Sequence, residues 1–418
     1  MFGKKTYGSR FFASLRMTGA LRMTGALRMT GAVGIVCMLA AGCVKMSEET
    51  RVTGGGEPVP VTFSTYRVQS MGTKADAGFV APGADFAAGA VVGVYGFYHD
   101  NSDWATETAA GTNIADFMYH TALTKQSDGS WDYSPVKYWP NEYGSGAASA
   151  NTDKLSFWAY YPRNAAGLSL NKSTTASATA NDYDNDTNGL PWAHFEVNSD
   201  VTRQVDLMFT ETLTDLYKSQ SHVVDGDTHN YGYVPDGEVT LRLRHALSLV
   251  QFNVTSDGSS LPEGATIVVT ELTLTSVKTK GDCTDPSASF STDATAATYW
   301  TNVSTPVNMT VPDEAAGHAG SMLVLMPQTL EQEGSTGHSQ VRLTITYDIR
   351  FPAAHNPEEE ISYSDNHAEK YLWMDGAGAY GVKRWLPGRR YVYNLEAGLE
   401  KIEFSEVTEI SWTDEWPE

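Results

Sequence analysis

The chain predicts an all-β fold, read as a β-sandwich, and three features carry that reading. Apolar and polar residues alternate over strand-length runs, turn-forming Gly, Asn, Asp and Ser cluster between those runs, and long helical periodicity is scarce. The alternation is cleanest where Val341, Leu343, Ile345, Tyr347, Ile349 and Phe351 interleave with Arg342, Thr344, Thr346, Asp348 and Arg350. A period of two sustained this long marks a half-buried antiparallel strand.

Taken from the N-terminus, residues 1–42 read as an export leader. Lys4, Lys5, Arg10, Arg16, Arg22 and Arg28 precede the apolar run that ends at Cys43, with no Asp or Glu among them. A basic region, an apolar region and small residues at a cut site make an export signal. The apolar run is shorter than the ~20 residues a membrane span needs. Residues 15–20 recur at 21–26 and 27–32. That period is far below those of repeat folds, and a start at Met17 or Met23 would leave everything downstream unchanged. The segment Leu39-Ala40-Ala41-Gly42-Cys43 resembles the lipobox of bacterial lipoproteins. The resemblance implies cleavage after Gly42 and acylation of Cys43 with three chains, a stable anchor that does not span the bilayer. Just beyond, Ser47-Glu48-Glu49 resembles a surface-export signal of lipoproteins from gut and oral anaerobes; a solvated linker is the other reading.

Residues 43–58 form a tether, since Gly54-Gly55-Gly56-Glu57-Pro58 has no periodicity. Strands follow from residue 59. Val91 to Tyr98 is β-branched and aromatic, as strands prefer. Leu155, Phe157, Ala159 and Tyr161 alternate before Pro162, and Tyr391 to Leu395 and Ile402 to Phe404 continue in the same style. Residues 205–218 are expected to hold one short helical turn. Between residues 239 and 254 the apolar face begins on odd numbers (Val239, Leu241, Leu243, Leu247, Leu249) and moves to even ones (Val250, Phe252, Val254). A slip of one residue flips every side chain, so the chain must bulge or change strands near residues 246–250. The junction between an N-terminal sandwich, 59–237, and a C-terminal one, 238–418, is placed just before. His245 lies on the apolar odd face and reads as a buried, hydrogen-bonded histidine.

Composition narrows the function. The formal charge is −21, and loss of the leader's six cations lowers it to −27, which argues against nucleic acid and anionic membrane surfaces as partners. Of three cysteines, Cys37 leaves with the leader and Cys43 is the acylation site, so Cys283 has no partner for an internal disulfide.

Catalytic and metal motifs are sparse. Gly337-His338-Ser339-Gln340-Val341 lacks the last Gly of a nucleophile elbow and precedes a strand where the elbow needs a helix. No HExxH, zinc-spaced Cys pair or phosphate-binding loop occurs, and no cofactor is expected. Close carboxylate pairs among fifty acidic residues single out no glycosidase site. The one metal candidate is the turn with Asp184, Asp186 and Asn188, which matches the first half of a calcium loop; the twelfth position, where a Glu is needed, is Phe195. Residues 131–140 are rich in aromatics. Trp131 and Trp139 could stack on sugars, or belong to a core hairpin with a proline-fixed turn.

Several segments, in order, resemble the fimbrillin family of type V pilus subunits from anaerobic Gram-negative bacteria. They are Phe63 in a first strand, Thr73-Lys74-Ala75, Gly93-Val94-Tyr95-Gly96-Phe97-Tyr98, Trp131-Asp132-Tyr133-Ser134-Pro135, Lys137-Tyr138-Trp139-Pro140 and Leu155-Ser156-Phe157-Trp158-Ala159-Tyr160-Tyr161-Pro162. Asp206-Leu207-Met208, Arg244-His245-Ala246-Leu247-Ser248, Pro387-Gly388-Arg389-Arg390-Tyr391 and Ile402-Glu403-Phe404 follow. The resemblance implies two tandem transthyretin-like β-sandwiches and assembly by strand exchange. In that scheme a protease cuts after a basic residue, here Arg67 or else Lys74. The first strand departs, and a neighbour's strand fills the groove by β-augmentation. The C-terminal segment with Leu395, Ile402, Phe404 and Trp412 is the candidate donor. The implied partners are other pilus subunits or a second copy, the outer membrane through the acyl chains, and a host or glycan ligand, at the cell surface or in a pilus. The alternatives are a glycan-binding surface lipoprotein of a nutrient-uptake system and a surface hydrolase.

Overall fold

The computed structural model of the chain describes residues 58–67, 86–140, 153–172, 181–218, 232, 234, 236–256, 261, 263–287, 300–302, 307–311, 322–330, 340–353, 356–373, 382–397 and 402–411. The chain divides into residues 1–44 and 45–418, and every described residue belongs to the second unit. The leader, Gly42, Cys43, Lys74, Trp412 and the Gly337-His338-Ser339 segment lie outside the described residues.

The first half of the unit holds β1 (Thr62–Arg67), β2 (Val91–His99), the helix α1 (Trp104–Ala110), β3 (Met118–Lys125), β4 (Trp131–Asp132), β5 (Lys154–Tyr161), β6 (Leu168–Asn171), β7 (Trp192–Glu196), β8 (Met208–Thr210), β9 (Leu213–Leu216) and β10 (Glu238–His245). The second half holds β11 (Ser248–Ser256), β12 (Thr266–Val277), β13 (Lys280–Cys283), β14 (Thr301–Asn302), β15 (Val307–Val311), β16 (Met322–Leu325), β17 (Gln328–Thr329) and β18 (Arg342–Ala353). It ends with β19 (Asn356–Tyr371), β20 (Arg384–Trp385), β21 (Arg389–Ala397) and β22 (Ile402–Ser411). The fold is all-β, as the alternation predicts.

The largest sheet runs β1-β10-β8-β5-β2-β3-β4, with β9 also paired to β5. Its two ends meet, because Val61 N–H donates to the Lys137 carbonyl just beyond β4 and Pro60 bridges to Tyr138. One face therefore encloses its own core of Val61, Phe63, Val94, Phe117, Leu155, Phe157 and Val239. The other face, with Tyr95, Phe97, Trp158, Tyr160 and Phe209, joins a larger core that continues through the C-terminal sheets to Val407. This explains a departure from expectation in β5. The sequence reads it as half-buried, yet Ser156, Trp158 and Tyr160 are as buried as Leu155 and Phe157, because the strand lies between two cores.

Two further sheets run β16-β11-β21-β22 and β15-β12-β18-β19. Along β18 and the residue before it, Val341, Leu343 and Ile345 are buried while Arg342, Thr344 and Thr346 are half-exposed, the alternation read from the sequence. The parity flip resolves as a change of strand: β10 ends at His245 and β11 starts at Ser248 in another sheet. The linking backbone is satisfied, with Ala246 N–H donating to the Leu207 carbonyl and Trp300 Nε1 donating to the Ala246 carbonyl at 2.7 Å. Two sheets cross the 237/238 division expected from the sequence. Strand β10 pairs with β1 and β8, and β7 pairs with β13, where Lys280 faces Glu196 at 2.9 Å.

Residues 205–218 contain β8 and β9 instead of the expected helical turn, and the α-helix lies at α1. Its signals are local: Asp103 accepts from Thr106 N–H at 2.8 Å, and Gly111 closes the last turn at φ 71°.

Candidate functional site

The candidate site is the groove that holds β1. The strand forms because Val59, Val61 and Phe63 put β-branched and aromatic side chains on one face. Val61 and Phe63 are buried, while Pro60 and Thr62, which alternate with them, are exposed. Pro60, just before the strand, bridges to Tyr138 and has no N–H to donate; the bonds to residues 137–139 are made by its neighbours Val59 and Val61. The strand runs parallel to β10, in register from Thr62 against Glu238 to Arg67 against Leu243. Beneath it, the Phe63 ring meets Tyr133 and Phe157 edge-on at 5.5 and 5.4 Å.

The start of the strand is held on both sides. Val61 N–H donates to the Lys137 carbonyl at 2.9 Å, Trp139 N–H to the Val59 carbonyl at 3.0 Å, and the Tyr133 hydroxyl to the Val61 carbonyl at 2.7 Å. On the β10 side the Gly237 carbonyl accepts from Thr62 N–H and from Trp139 Nε1, the latter at 2.9 Å. Gly237 sits at φ 73°, and a Cβ there would come within 3.0 Å of Trp139 Nε1 and 3.2 Å of Val59 Cγ1, so the position requires glycine. Arg67, the preferred cut site, is the last residue of β1.

The other candidate residues fall elsewhere. Trp131 and Trp139 are corrected from a sugar platform to core: both are buried, Trp131 against Phe86 at 5.6 Å and under Lys125 Nζ, Trp139 tied to Gly237. Neither indole offers a face to a sugar. In the calcium candidate, Lys172 and Thr187 take up the Asp184 carboxylate, and the Lys172 bond holds that carboxyl below its usual range. The Asn188 side-chain oxygen turns away to accept from Asn113 N–H at 2.9 Å. Phe195 is buried in β7. Among the described residues no three His, Cys, Asp or Glu side chains converge as a metal site. Leu395 is corrected as a donor residue: it lies fully buried in β21, between β11 and β22, and cannot leave without opening the sheet. Strand β22, with Ile402 and Phe404, is an edge strand that, among the described residues, pairs with β21 alone. His245 is buried and meets Asp206 at 2.9 Å.

Sequence reasoning missed one arrangement that resembles a catalytic triad. His99 meets Glu107 through Nδ1 at 2.8 Å and Ser156 through Nε2 at 2.8 Å. With the carboxylate accepting from Nδ1–H, Ser156 donates to Nε2, and its oxygen accepts from Asp215 N–H at 3.0 Å. Ser156 and His99 are fully buried, so the network ties α1, β2, β5 and β9 together and gives a substrate no access. His99 and Glu107 are eight residues apart, but Ser156 lies 57 residues from His99, and no sequence spacing reveals the three together.

Beside this network, Asp116 accepts from Tyr98 N–H at 3.1 Å. Burial, with Glu107 adding to it, pushes the Asp116 carboxyl up. A raised folded pKa means that ionised Asp116 destabilises the fold above that pKa, and that the penalty fades as pH falls towards the unfolded value of about 3.9. Asp116→Asn keeps the acceptor. Its Tm at pH 7 should equal or exceed the parent's, and the difference should close on acidification in a pH series of melts. A lower Tm at pH 7 that recovers to the parent's in acid would show instead that the ionised carboxylate stabilises the fold.

The fimbrillin-like family profile matches residues 73–412, a span that begins after β1. Among solved structures, a fimbrial protein from Bacteroides vulgatus superposes with a TM-score of 0.53 at 17% identity, over 85% of this chain and 99% of that one. The C-terminally truncated tip fimbrial protein Mfa3 from Porphyromonas gingivalis matches with a TM-score of 0.38 at 12% identity, over 78% of this chain and 97% of that one. No curated protein matches the sequence.

Proposed function

The chain belongs to the fimbrillin-like family, and from that premise we propose that it is a lipid-anchored pilus subunit or pilus-associated adhesin, without catalysis, that assembles by protease-triggered strand exchange. The observation that carries the reading is β1. It is an edge strand, it ends on a basic residue, and it fills a groove with two buried anchors. Burying Val61 and Phe63 is worth about 1.5–3 kcal/mol each. Withdrawing the strand re-exposes that surface and leaves the β10 edge unpaired, which is the condition for β-augmentation by an incoming strand.

Acylation at Cys43 would place the precursor in the outer membrane, and cleavage after Arg67 would release the body from it. The incoming strand would come from another subunit or a second copy, with β22 and the residues beyond it as the donor. The strongly negative charge keeps unassembled subunits apart. The glycan-binding alternative loses its stacking residues to the core.

Cleavage of the purified chain, residues 43–418, with an arginine-specific protease tests the reading. Release of the segment ending at Arg67 should be followed by SDS-resistant oligomers. Cleavage without any ladder, together with absence of fibres on cells, would overturn the stalk-subunit form.

A further inference from the structure

We propose, building on the strand-exchange reading above, that Tyr133 is a latch in the groove: its hydroxyl fixes the register of the strand that fills the groove and sets how fast that strand leaves. The observation is a side chain inserted into a backbone rung. Val61 N–H donates to the Lys137 carbonyl, and in an ordinary antiparallel pair Lys137 N–H would return the bond to the Val61 carbonyl. Here Lys137 N–H donates to the Tyr133 hydroxyl at 3.2 Å, and that hydroxyl donates to the Val61 carbonyl at 2.7 Å. The phenol thus stands in for the direct bond. A phenol is a donor at neutral pH, and burial pushes the Tyr133 hydroxyl further up in pKa.

The same ring lies edge-on to Phe63, with the ring planes at 74°. One side chain therefore touches the occupant's backbone at position 61 and its anchor at position 63. Those two positions lie on the same face of a strand. The ligand this geometry selects is an extended peptide, parallel to β10, with an aliphatic residue followed two positions later by an aromatic one. The chain carries that pattern again at Ile402-Glu403-Phe404 and Ile410-Ser411-Trp412.

The position of the latch also orders the exit. Val59 to Thr62 are bonded on both sides, whereas beyond Thr62 the backbone of β1 pairs with β10 alone among the described residues. A strand cut after Arg67 peels from that end, and the rung at Tyr133 opens late.

The test uses the chain cut after Arg67, with excess isotope-labelled peptide of residues 58–67, and follows replacement of the resident strand by native mass spectrometry. Tyr133→Phe should speed replacement by about 5- to 30-fold, the factor carried by one lost rung with its groups left unpaired. It should leave the preference for Phe over Ala at peptide position 63 unchanged, since the ring remains. Equal rates in the two proteins overturn the latch. A faster rate with lost preference at position 63 also overturns it, because the groove itself has then been damaged. Failure of the strand to exchange in either protein overturns the strand-exchange reading instead.

Discussion

Phe63→Ala should weaken the docking of β1 by about 3–5 kcal/mol, the usual range for removing a buried aromatic ring. Its ring is nearly inaccessible and is gripped by Tyr133 and Phe157, so the vacated space cannot collapse without moving two further aromatics. Thr62→Ala, one residue away and exposed, should stay within about 0.5 kcal/mol. The contrast is read by hydrogen exchange of the amides along β1 and β10. Protection should fall steeply in the Phe63 variant, while β18 and β21 remain protected, because an edge strand can open without the rest. Unchanged protection along β10 would show that Phe63 is not an anchor. Loss of protection throughout the unit would show that β1 is inseparable from the global fold, and strand release would then be untenable.

The sequence made some of this legible. Alternation in β18 depends on one dry and one wet face, and that arrangement writes itself into the residue types. The parity flip near Ala246 is visible because a strand cannot change face without breaking, and it marks the passage from one sheet to the next. His245 is legible as a buried histidine from the face it occupies, although its partner, Asp206, is not. What remained hidden has a common cause: sequence pattern reports burial in one direction at a time. Trp158 and Tyr160 in β5 and Trp131 and Trp139 nearby have the composition of an exposed aromatic platform and of a core alike, and only the curling of the sheet decides. The polar turn at Asp184 has the residues of half a calcium loop, and only the position of Lys172 shows that its carboxylate is already neutralised. Leu395 sits in a segment with donor-like alternation, but pairing on both sides fixes it in place. Pairing of β7 with β13, which joins residues almost ninety positions apart, leaves no local trace at all.

Cys43→Ala and Arg67→Gln should move the protein in opposite directions. If Cys43 carries the acyl chains, its replacement removes a stable multi-chain anchor, and the protein should disappear from the membrane fraction along with incorporation of labelled palmitate. Arg67→Gln should do the reverse: the acylated chain accumulates at the membrane, uncut, with β1 still in its groove, and the subunit is lost from fibres. The two variants are informative together because the reading couples them. In that reading acylation and cleavage would act on the two ends of one segment, residues 43–67, so the lipid would hold the body only while the bond after Arg67 is intact. Fibres built from the Arg67→Gln protein with subunits starting at residue 75 would move the cut to Lys74 and keep the scheme. Fibres containing the full acylated chain would sink it, since a strand still tethered in its own groove leaves no place for a neighbour's. A chain that remains at the membrane in both parent and Arg67→Gln forms, and is released only by Cys43→Ala, would instead be an anchor subunit, for which the groove stays filled and the edge strand β22 is the candidate donor to a neighbour.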